Sequence, residues 1–221
     1  MKAWKHFCTI TEHKIMVMRH CFKIGLYRQG LLHDMSKYTP TEFLPGCKYY
    51  QGYRSPNNAE REEKGYSAAW LHHKGRNKHH YEYWIDYSLG PVKGMTGMKM
   101  PNRYVAEMMM DRMAASKIYN GKNYTQHEPL SYYEKGKDSY MIHDETRALL
   151  EHLLHLLDQQ GGSGIRLYPK GDRGKEGISE DSAQTLAADG GWNLSDGSGA
   201  GSHSERSAEA FVKSFCGEKF S

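Results

Sequence analysis

The segment from Gly30 to Lys37, with the sequence GLLHDMSK, places a histidine and an aspartate side by side. In it, the adjacent His33 and Asp34 follow two leucines, so an apolar stretch leads directly into two potential metal ligands. An imidazole beside a carboxylate suits Zn, Mn, Fe or Co better than Ca or Mg. Two neighbouring residues cannot complete a coordination sphere. We therefore expect the fold to bring further ligands to this segment from other parts of the chain.

The chain consists of two compositionally different parts. Residues 1–160 hold 23 Lys and Arg against 17 Asp and Glu, together with 12 of the 13 His, whereas residues 161–221 hold 12 of the 23 Gly. We predict a helical metal-binding domain over 1–160 and a flexible low-complexity tail over 161–221. The tail's Gly/Ser composition is compatible both with a native end and with a frameshifted or foreign one.

Hydrophobic spacing in the first part predicts helices throughout. Apolar residues at three-to-four spacing predict a helix over 11–28, capped by Thr11. Gly30 is expected to form a turn into a short helix that carries His33 and Asp34. Further helices are predicted over 102–119 and over 144–160, the latter with Asp144 as its N-cap, and a loop over 88–100. The predicted fold class is all-α, a helical bundle without a sheet.

Metal sites in helical bundles are built from side chains on different helices that face one interior. Asp111 interrupts an apolar stretch from Met108 to Ala115, where an unpaired carboxylate carries a large desolvation cost. It is therefore predicted to bind a metal, the alternative being a pair with a buried Arg or Tyr. On the first helix His13 is favoured over His20. Adjacent residues on a helix diverge by about 100°, so at most one His of each of the doublets 72–73 and 79–80 is expected to face a given metal.

This pattern resembles the HD-domain superfamily of metal-dependent phosphohydrolases. The resemblance rests on His13, on the His33-Asp34 doublet with Lys37 in the HDxxK position, on histidines between residues 72 and 80, and on Asp111. Residues about 11–158 look more closely like a bacterial and phage family of unknown function, through the stretches 30–38, 55–62 and 72–84.

The resemblance implies an HD-like bundle holding a divalent transition metal, such as Mn, Fe, Zn, Co or Ni. The implied metal ligands are His13, His33, Asp34, Asp111, His73, His79 and His80. Because the histidine doublets are only seven residues apart, a site for one ion is better supported than a site for two. Asp34 and Lys37 are the implied catalytic residues. Lys37, Arg76, Lys78 and His72 are the implied substrate-binding residues, whereas Arg112 is expected to point away from the site.

The implied function is hydrolysis of a nucleotide or another small phosphate ester by a metal-activated water. A di-iron oxygenase of HD type and a non-catalytic nucleotide-binding module are the alternatives. The expected partner is a small anionic substrate and not nucleic acid, because the basic excess is mild. No segment has the apolar run of a signal peptide or a membrane span, and the four cysteines form no CxxC motif, so a cytoplasmic location is expected. The oligomeric state stays open.

Overall fold

The computed structural model describes residues 2–91 and 93–160. Within these ranges the chain forms eight α-helices, one β-hairpin and four short 3-10 turns. The helices are α1 (Lys2–Lys23), α2 (Tyr27–Leu32), α3 (Pro40–Tyr49), α4 (Pro56–Lys64), α5 (Ala68–Lys74), α6 (Asn102–Asn120), α7 (Glu128–Glu134) and α8 (Asp144–Gln160). The strands are β1 (Ile85–Ser88) and β2 (Gly94–Gly97). The predicted helical fold class is confirmed.

One hydrophobic core joins the three longest helices. Helices α1 and α8 both pack against α6, whose middle is apolar on nearly every side. Eight of its residues have no exposed surface: Val17, Cys21, Val105, Met109, Ala114, Leu150, Leu154 and Leu157. Methionine fills irregular gaps well, which suits a helix that packs against neighbours on more than one side. Helices α3, α4 and α5 form a second group that contacts the core through α1.

The first helix differs from its prediction at both ends. It begins at Lys2 and ends at Lys23, so Thr11 lies inside the helix and does not cap it. The chain leaves α1 through Gly25, which has a φ of 83°, a left-handed conformation that glycine adopts at little cost. The buried face of α1 includes His13, Val17 and Cys21, which follow one another at intervals of four residues.

Gly30 has a different role from the predicted turn. It lies inside α2, where an added Cβ atom would be 3.0 Å from Cys21 Cβ and 3.1 Å from the carbonyl oxygen of Met18. Its missing side chain therefore lets α2 pack closely on α1. The predicted second helix ends before His33, so His33 and Asp34 lie in the junction between α2 and a 3-10 turn over Met35–Tyr38.

The hairpin corrects the prediction of a bundle without a sheet and of a loop over 88–100. Strands β1 and β2 pair antiparallel, with Ile85 opposite Gly97. Four-residue strands are too short to produce a clear alternating pattern in the sequence. Gly97 permits a close approach to the start of α8, because a Cβ atom there would lie 2.7 Å from the backbone nitrogen of His143.

The N-cap of α8 differs from its prediction. The His143 side chain, and not that of Asp144, accepts a hydrogen bond from the Glu145 backbone N–H at 3.2 Å. The predicted cap is therefore off by one residue. The tail predicted over 161–221 lies outside the described residues. Among the residues that are described, no helix is long and apolar enough to cross a membrane.

Candidate metal centre

Four separate segments bring potential metal ligands to one place. The face of α1 that packs into the core supplies His13, and the junction after α2 supplies His33 and Asp34. Helix α5 and the turn that follows it supply His73, His79 and His80, and α6 supplies Asp111. Asp34 has a φ of 54°, a left-handed conformation in which Asp is found more often than most residues. That conformation turns its carboxylate into the interior, where only 1% of the residue is exposed.

The first ligand group consists of His13, His33, Asp34 and Asp111. One donor atom from each lies within 4.8 Å of the donor atoms of the others. His13 Nε2 is 2.9 Å from Asp111 Oδ1, and His33 Nε2 is 3.2 Å from Asp34 Oδ2 and 3.6 Å from Asp111 Oδ1. The predicted proximity of Asp111 to the His-Asp doublet is therefore confirmed.

The second ligand group consists of Asp34, His73, His79 and His80. His73 Nε2 and His79 Nε2 lie 3.2 and 3.4 Å from Asp34 Oδ1, and His80 Nε2 lies 2.9 Å from His73 Nε2. Asp34 thus faces the first group with one oxygen and the second with the other. The expectation that only one His of each doublet faces a given site is wrong for 79–80. Both lie in a turn between α5 and the 3-10 segment Tyr81–Trp84, where the 100° helical divergence does not apply.

Several potential metal-ligand atoms at the centre are buried in ion-pair contact with one another but without a well-aligned hydrogen bond. They are the Nε2 atoms of His13, His33 and His79 and both carboxylate oxygens of Asp34. Buried polar atoms in folded proteins are almost always satisfied, and each exception requires an explanation. These atoms converge on one another, and a mixed imidazole and carboxylate set of this kind is a ligand set for transition metals. The residues present therefore fit a metal ion.

Two glutamates that sequence reasoning missed orient the histidines. Glu107 Oε1 lies 3.0 Å from His33 Nδ1 and 3.2 Å from His79 Nδ1. Glu42 Oε2 accepts a hydrogen bond from His73 Nδ1 at 2.8 Å. A carboxylate that holds Nδ1–H leaves the lone pair of Nε2 free to bind a metal. Glu107 could have been found from the sequence, because it lies one helical turn before Asp111 and directly before the apolar stretch that begins at Met108.

Charge pairing inside the centre outweighs the effect of burial on its pKa values. Burial alone would lower the pKa of His33, but Asp34 and hydrogen bonds to nearby carboxylates raise it well above its usual value. Burial would likewise raise the pKa of Asp34, but His33 and Lys37 hold it well below its usual range. The pKa of Asp111 is also held well below its usual range, against burial, by His13 and His33. Without a metal, the centre is therefore a network of buried ion pairs.

The Lys37 side chain reaches the centre. Its Nζ lies 2.6 Å from Asp34 Oδ2, although the pair is joined by a 3-10 turn and not by an α-helix. Burial alone would lower the pKa of Lys37, but the Asp34 and Asp111 carboxylates raise it above its usual value. The side chain therefore keeps its positive charge beside the ligands.

A cavity of about 580 Å³ opens onto both ligand groups. Its wall includes His13, Lys37, His73, His80 and Asp111. The cavity also has aromatic and basic lining: Tyr50, Tyr53, Trp70, Tyr81, Tyr119, Tyr132, Tyr140, Arg54, Arg61, Arg112 and Lys135. Its size is in the range of small-molecule sites.

The structure does not bring three predicted substrate-binding residues to this cavity. Arg76 Nη1 donates to the carbonyl oxygen of His72, and Lys78 Nζ lies over the rings of Tyr83 and Tyr104. His72 Nδ1 pairs with Glu42 at 2.6 Å. The stretch from Lys74 to Lys78 turns outward after α5, so its cations face away from the ligands that flank them.

Arg112, which was expected to point away from the site, lies against the rings of Tyr133 and Tyr140 and lines the cavity there. His20, the competitor of His13, lies apart from the centre and beside Lys117, with 3.3 Å between Nε2 and Nζ. His13, and not His20, therefore lies in the first candidate ligand group.

A family model described as "Family of unknown function (DUF5662)" matches residues 2–156. No curated protein and no solved structure matches the chain significantly. The matched range contains every residue of the two ligand groups.

Proposed function

The chain belongs to the DUF5662 family, and we propose that it is a metal-dependent phosphohydrolase that acts on a nucleotide or another small phosphate ester. The observation that carries this proposal is the pair of ligand groups that share Asp34, next to Lys37, at one end of a cavity. The resemblance to the HD superfamily supports the same reaction. We further propose that the protein works in the cytoplasm.

We propose that the two groups hold two divalent transition-metal ions. The first would be held by His13, His33, Asp34 and Asp111, and the second by Asp34, His73, His79 and His80. A bound ion of this type lowers the pKa of a coordinated water and supplies hydroxide near neutral pH. The imidazole-rich donor set favours Mn, Fe, Co, Ni or Zn over Ca or Mg.

Lys37 and the ligand-orienting glutamates are the protein's own contribution to the reaction. The Lys37 ammonium stands beside Asp34 and faces the cavity, where it would neutralise a non-bridging oxygen of the phosphate. Glu107 and Glu42 hold the imidazole rings in place, so little reorganisation is needed when the substrate binds.

The test separates metal binding from phosphate binding. Asp34→Asn keeps the size of the side chain but removes its charge, so it should abolish both metal retention and phosphate release. Lys37→Ala should keep the metal, because an ammonium has no lone pair to donate, and should lower kcat/KM by roughly ten- to a hundredfold. Lys23→Ala, at the exposed end of α1, is the matched control and should behave as wild type.

Elemental analysis and a phosphate-release screen on the same preparations provide the readouts. If Lys37→Ala loses its metal as completely as Asp34→Asn, the lysine is structural and the phosphate assignment loses its main support. If metal-loaded wild type releases no phosphate from any ester in the screen, the proposed reaction is wrong.

The second ligand group also favours one alternative, a di-iron oxygenase, because oxygen activation of that type requires two metal ions. Iron-reconstituted protein should then consume oxygen with an organic substrate. Oxygen consumption without phosphate release would favour this alternative.

A further inference from the structure

Arg112 is a cation in the cavity wall whose donor groups the protein does not use fully. Its Nε atom is buried and has no hydrogen-bond partner. Within the described residues it forms no ion pair with a carboxylate. Its guanidinium carbon lies 5.7 Å from the ring centre of Tyr133 and 5.9 Å from that of Tyr140. Arg112 as a whole is half-buried, but its enclosed Nε is unpaired, so the guanidinium has donor capacity for a ligand.

Two other arginines are engaged with protein groups. Arg54 donates from both terminal nitrogens to Glu62, at 2.7 and 2.6 Å. Arg147, which also contacts Tyr133, donates to the carbonyl oxygens of Lys137 and Tyr140. Arg54 also lines the cavity, but Glu62 occupies its guanidinium, whereas Arg112 lines the cavity without a carboxylate partner among the described residues.

Arg112 and Lys37 occupy different walls of the cavity. Asp111 and Arg112 are adjacent on α6, and adjacent helical side chains diverge by about 100°. Asp111 reaches His13 in the first ligand group, whereas Arg112 rests against rings supplied by α7 and by the segment before α8. The cavity therefore has the positive group of Lys37 beside the ligands and, among the other basic side chains of its wall, Arg112 at a different place.

We propose that Arg112 binds a second anionic group of the substrate, so that the substrate is a phosphate ester that also carries a carboxylate or a second phosphate. The two tyrosine rings hold the planar guanidinium, which binds carboxylate and phosphate oxygens in a two-pronged geometry. This inference rests on the proposed function, in which the first phosphate lies at the metal centre and Lys37.

Binding of non-hydrolysable probes tests the inference without the need for turnover. Protein reconstituted with Mn²⁺ is titrated calorimetrically with methylphosphonate, with α,ω-alkane bisphosphonates and with ω-carboxyalkylphosphonates of increasing chain length. The best two-headed probe should bind at least about tenfold more tightly than methylphosphonate. Comparison of the two probe series distinguishes a carboxylate from a phosphate at Arg112.

Arg112→Gln should remove the advantage of the two-headed probe and leave the affinity for methylphosphonate unchanged. Arg112→Lys keeps the charge without the planar fork and should restore part of the advantage. Arg103→Gln, an exposed position on the same helix, should change neither affinity. Metal content and melting temperature are measured for each variant, and Arg112→Lys replaces Arg112→Gln in the comparison if the latter folds poorly.

The inference is overturned if two-headed probes bind no better than methylphosphonate, or if their advantage survives Arg112→Gln. Failure of the metal-loaded protein to release phosphate, with the binding pattern intact, would instead count against the proposed function alone.

Discussion

Glu107 lies at the point where two histidines of the centre meet. One of its oxygens faces Nδ1 of both His33 and His79, which belong to different ligand groups. Burial alone would raise the pKa of Glu107, but hydrogen bonds from His33 and His79 keep it below its usual value. The side chain is therefore a buried anion that fixes the orientation of two rings at once. It is a positioning residue for both proposed metal ions.

We expect Glu107→Gln to weaken metal binding by roughly ten- to a hundredfold, because the amide keeps the shape of the side chain but not the charge that holds Nδ1–H. Competition with a chromogenic chelator measures the affinity. Glu134→Gln, at an exposed position of α7, is the control and should bind metal as wild type does. If the metal affinity of Glu107→Gln equals that of the wild type, Glu107 does not position the ligands.

Helix α5 carries His73 and is anchored at its start by one hydroxyl. Ser67 Oγ accepts a hydrogen bond from the Trp70 backbone N–H at 3.0 Å and donates one to Glu60 Oε2 at 2.7 Å. Glu60 is 1% exposed, so its carboxylate depends on partners inside the protein. A single side chain thus caps α5 and joins it to α4.

Ser67→Ala should lower the free energy of unfolding by about 1–3 kcal/mol, because it removes the cap and leaves a buried carboxylate oxygen short of a donor. Urea unfolding monitored by circular dichroism measures the change. Ser131→Ala, at a half-buried position on α7, is the matched control and should change the free energy of unfolding little. Equal stabilities for the two variants would contradict the anchoring role of Ser67.

The elements that the sequence predicts well are those with long apolar periodicity. Helix α6 was predicted over 102–119 and ends at Asn120, and α8 has the predicted bounds. The N-terminal half of α1 was missed, because its buried side includes His6 and Cys8 beside Ile10, which produces a weak hydrophobic pattern. The hairpin was missed because its strands have only four residues each.

For the candidate site, residues that stand out from their surroundings could be found from the sequence. Asp111 is conspicuous among methionines, and His33-Asp34 follows two leucines. Glu42 could not be found, because its partners are histidines 30 and 31 residues away and only the fold brings them together. The sequence also could not predict which basic side chains line the cavity, because this depends on the direction in which the chain leaves α5.

Throughout the molecule, the pKa values of several histidines are shifted in opposite directions when no metal is bound. The pKa of His73 is raised above 6.5, because Asp34 and Glu42 outweigh the effect of burial, and His33 behaves in the same way. Burial and nearby cations lower the pKa of His6 to about 4 and that of His20 to about 3. Burial, with His79 and His73, lowers the pKa of His80.

These shifts predict that metal-free protein is most stable near pH 6.5. The histidines with a raised pKa, His33 and His73, stabilise the fold below pH 6.5. That contribution is lost as the pH rises through their folded pKa values. The lowered histidines stabilise it above 6.5, and their contribution is lost as the pH falls toward 4 and 3. Thermal unfolding of chelator-treated protein from about pH 4 to pH 9 should therefore give a melting temperature that falls on both sides of the maximum.

Metal-loaded protein should lack the fall above pH 6.5, since bound ions take the place of the protons on His33 and His73. A melting temperature of the metal-free protein that rises steadily to pH 9 would contradict the ion-pair network inferred for the centre.

The ligands of the centre are scattered along the chain from His13 to Asp111, so no unfolded chain can present them together. An ion at this centre consequently binds the native state in preference to the unfolded chain. By mass action it stabilises that state by an amount that grows with the logarithm of the free ion concentration once this exceeds the dissociation constant. In the metal-loaded protein that we propose, the equilibrium stability of the folded chain thus becomes a readout of how much metal its surroundings supply.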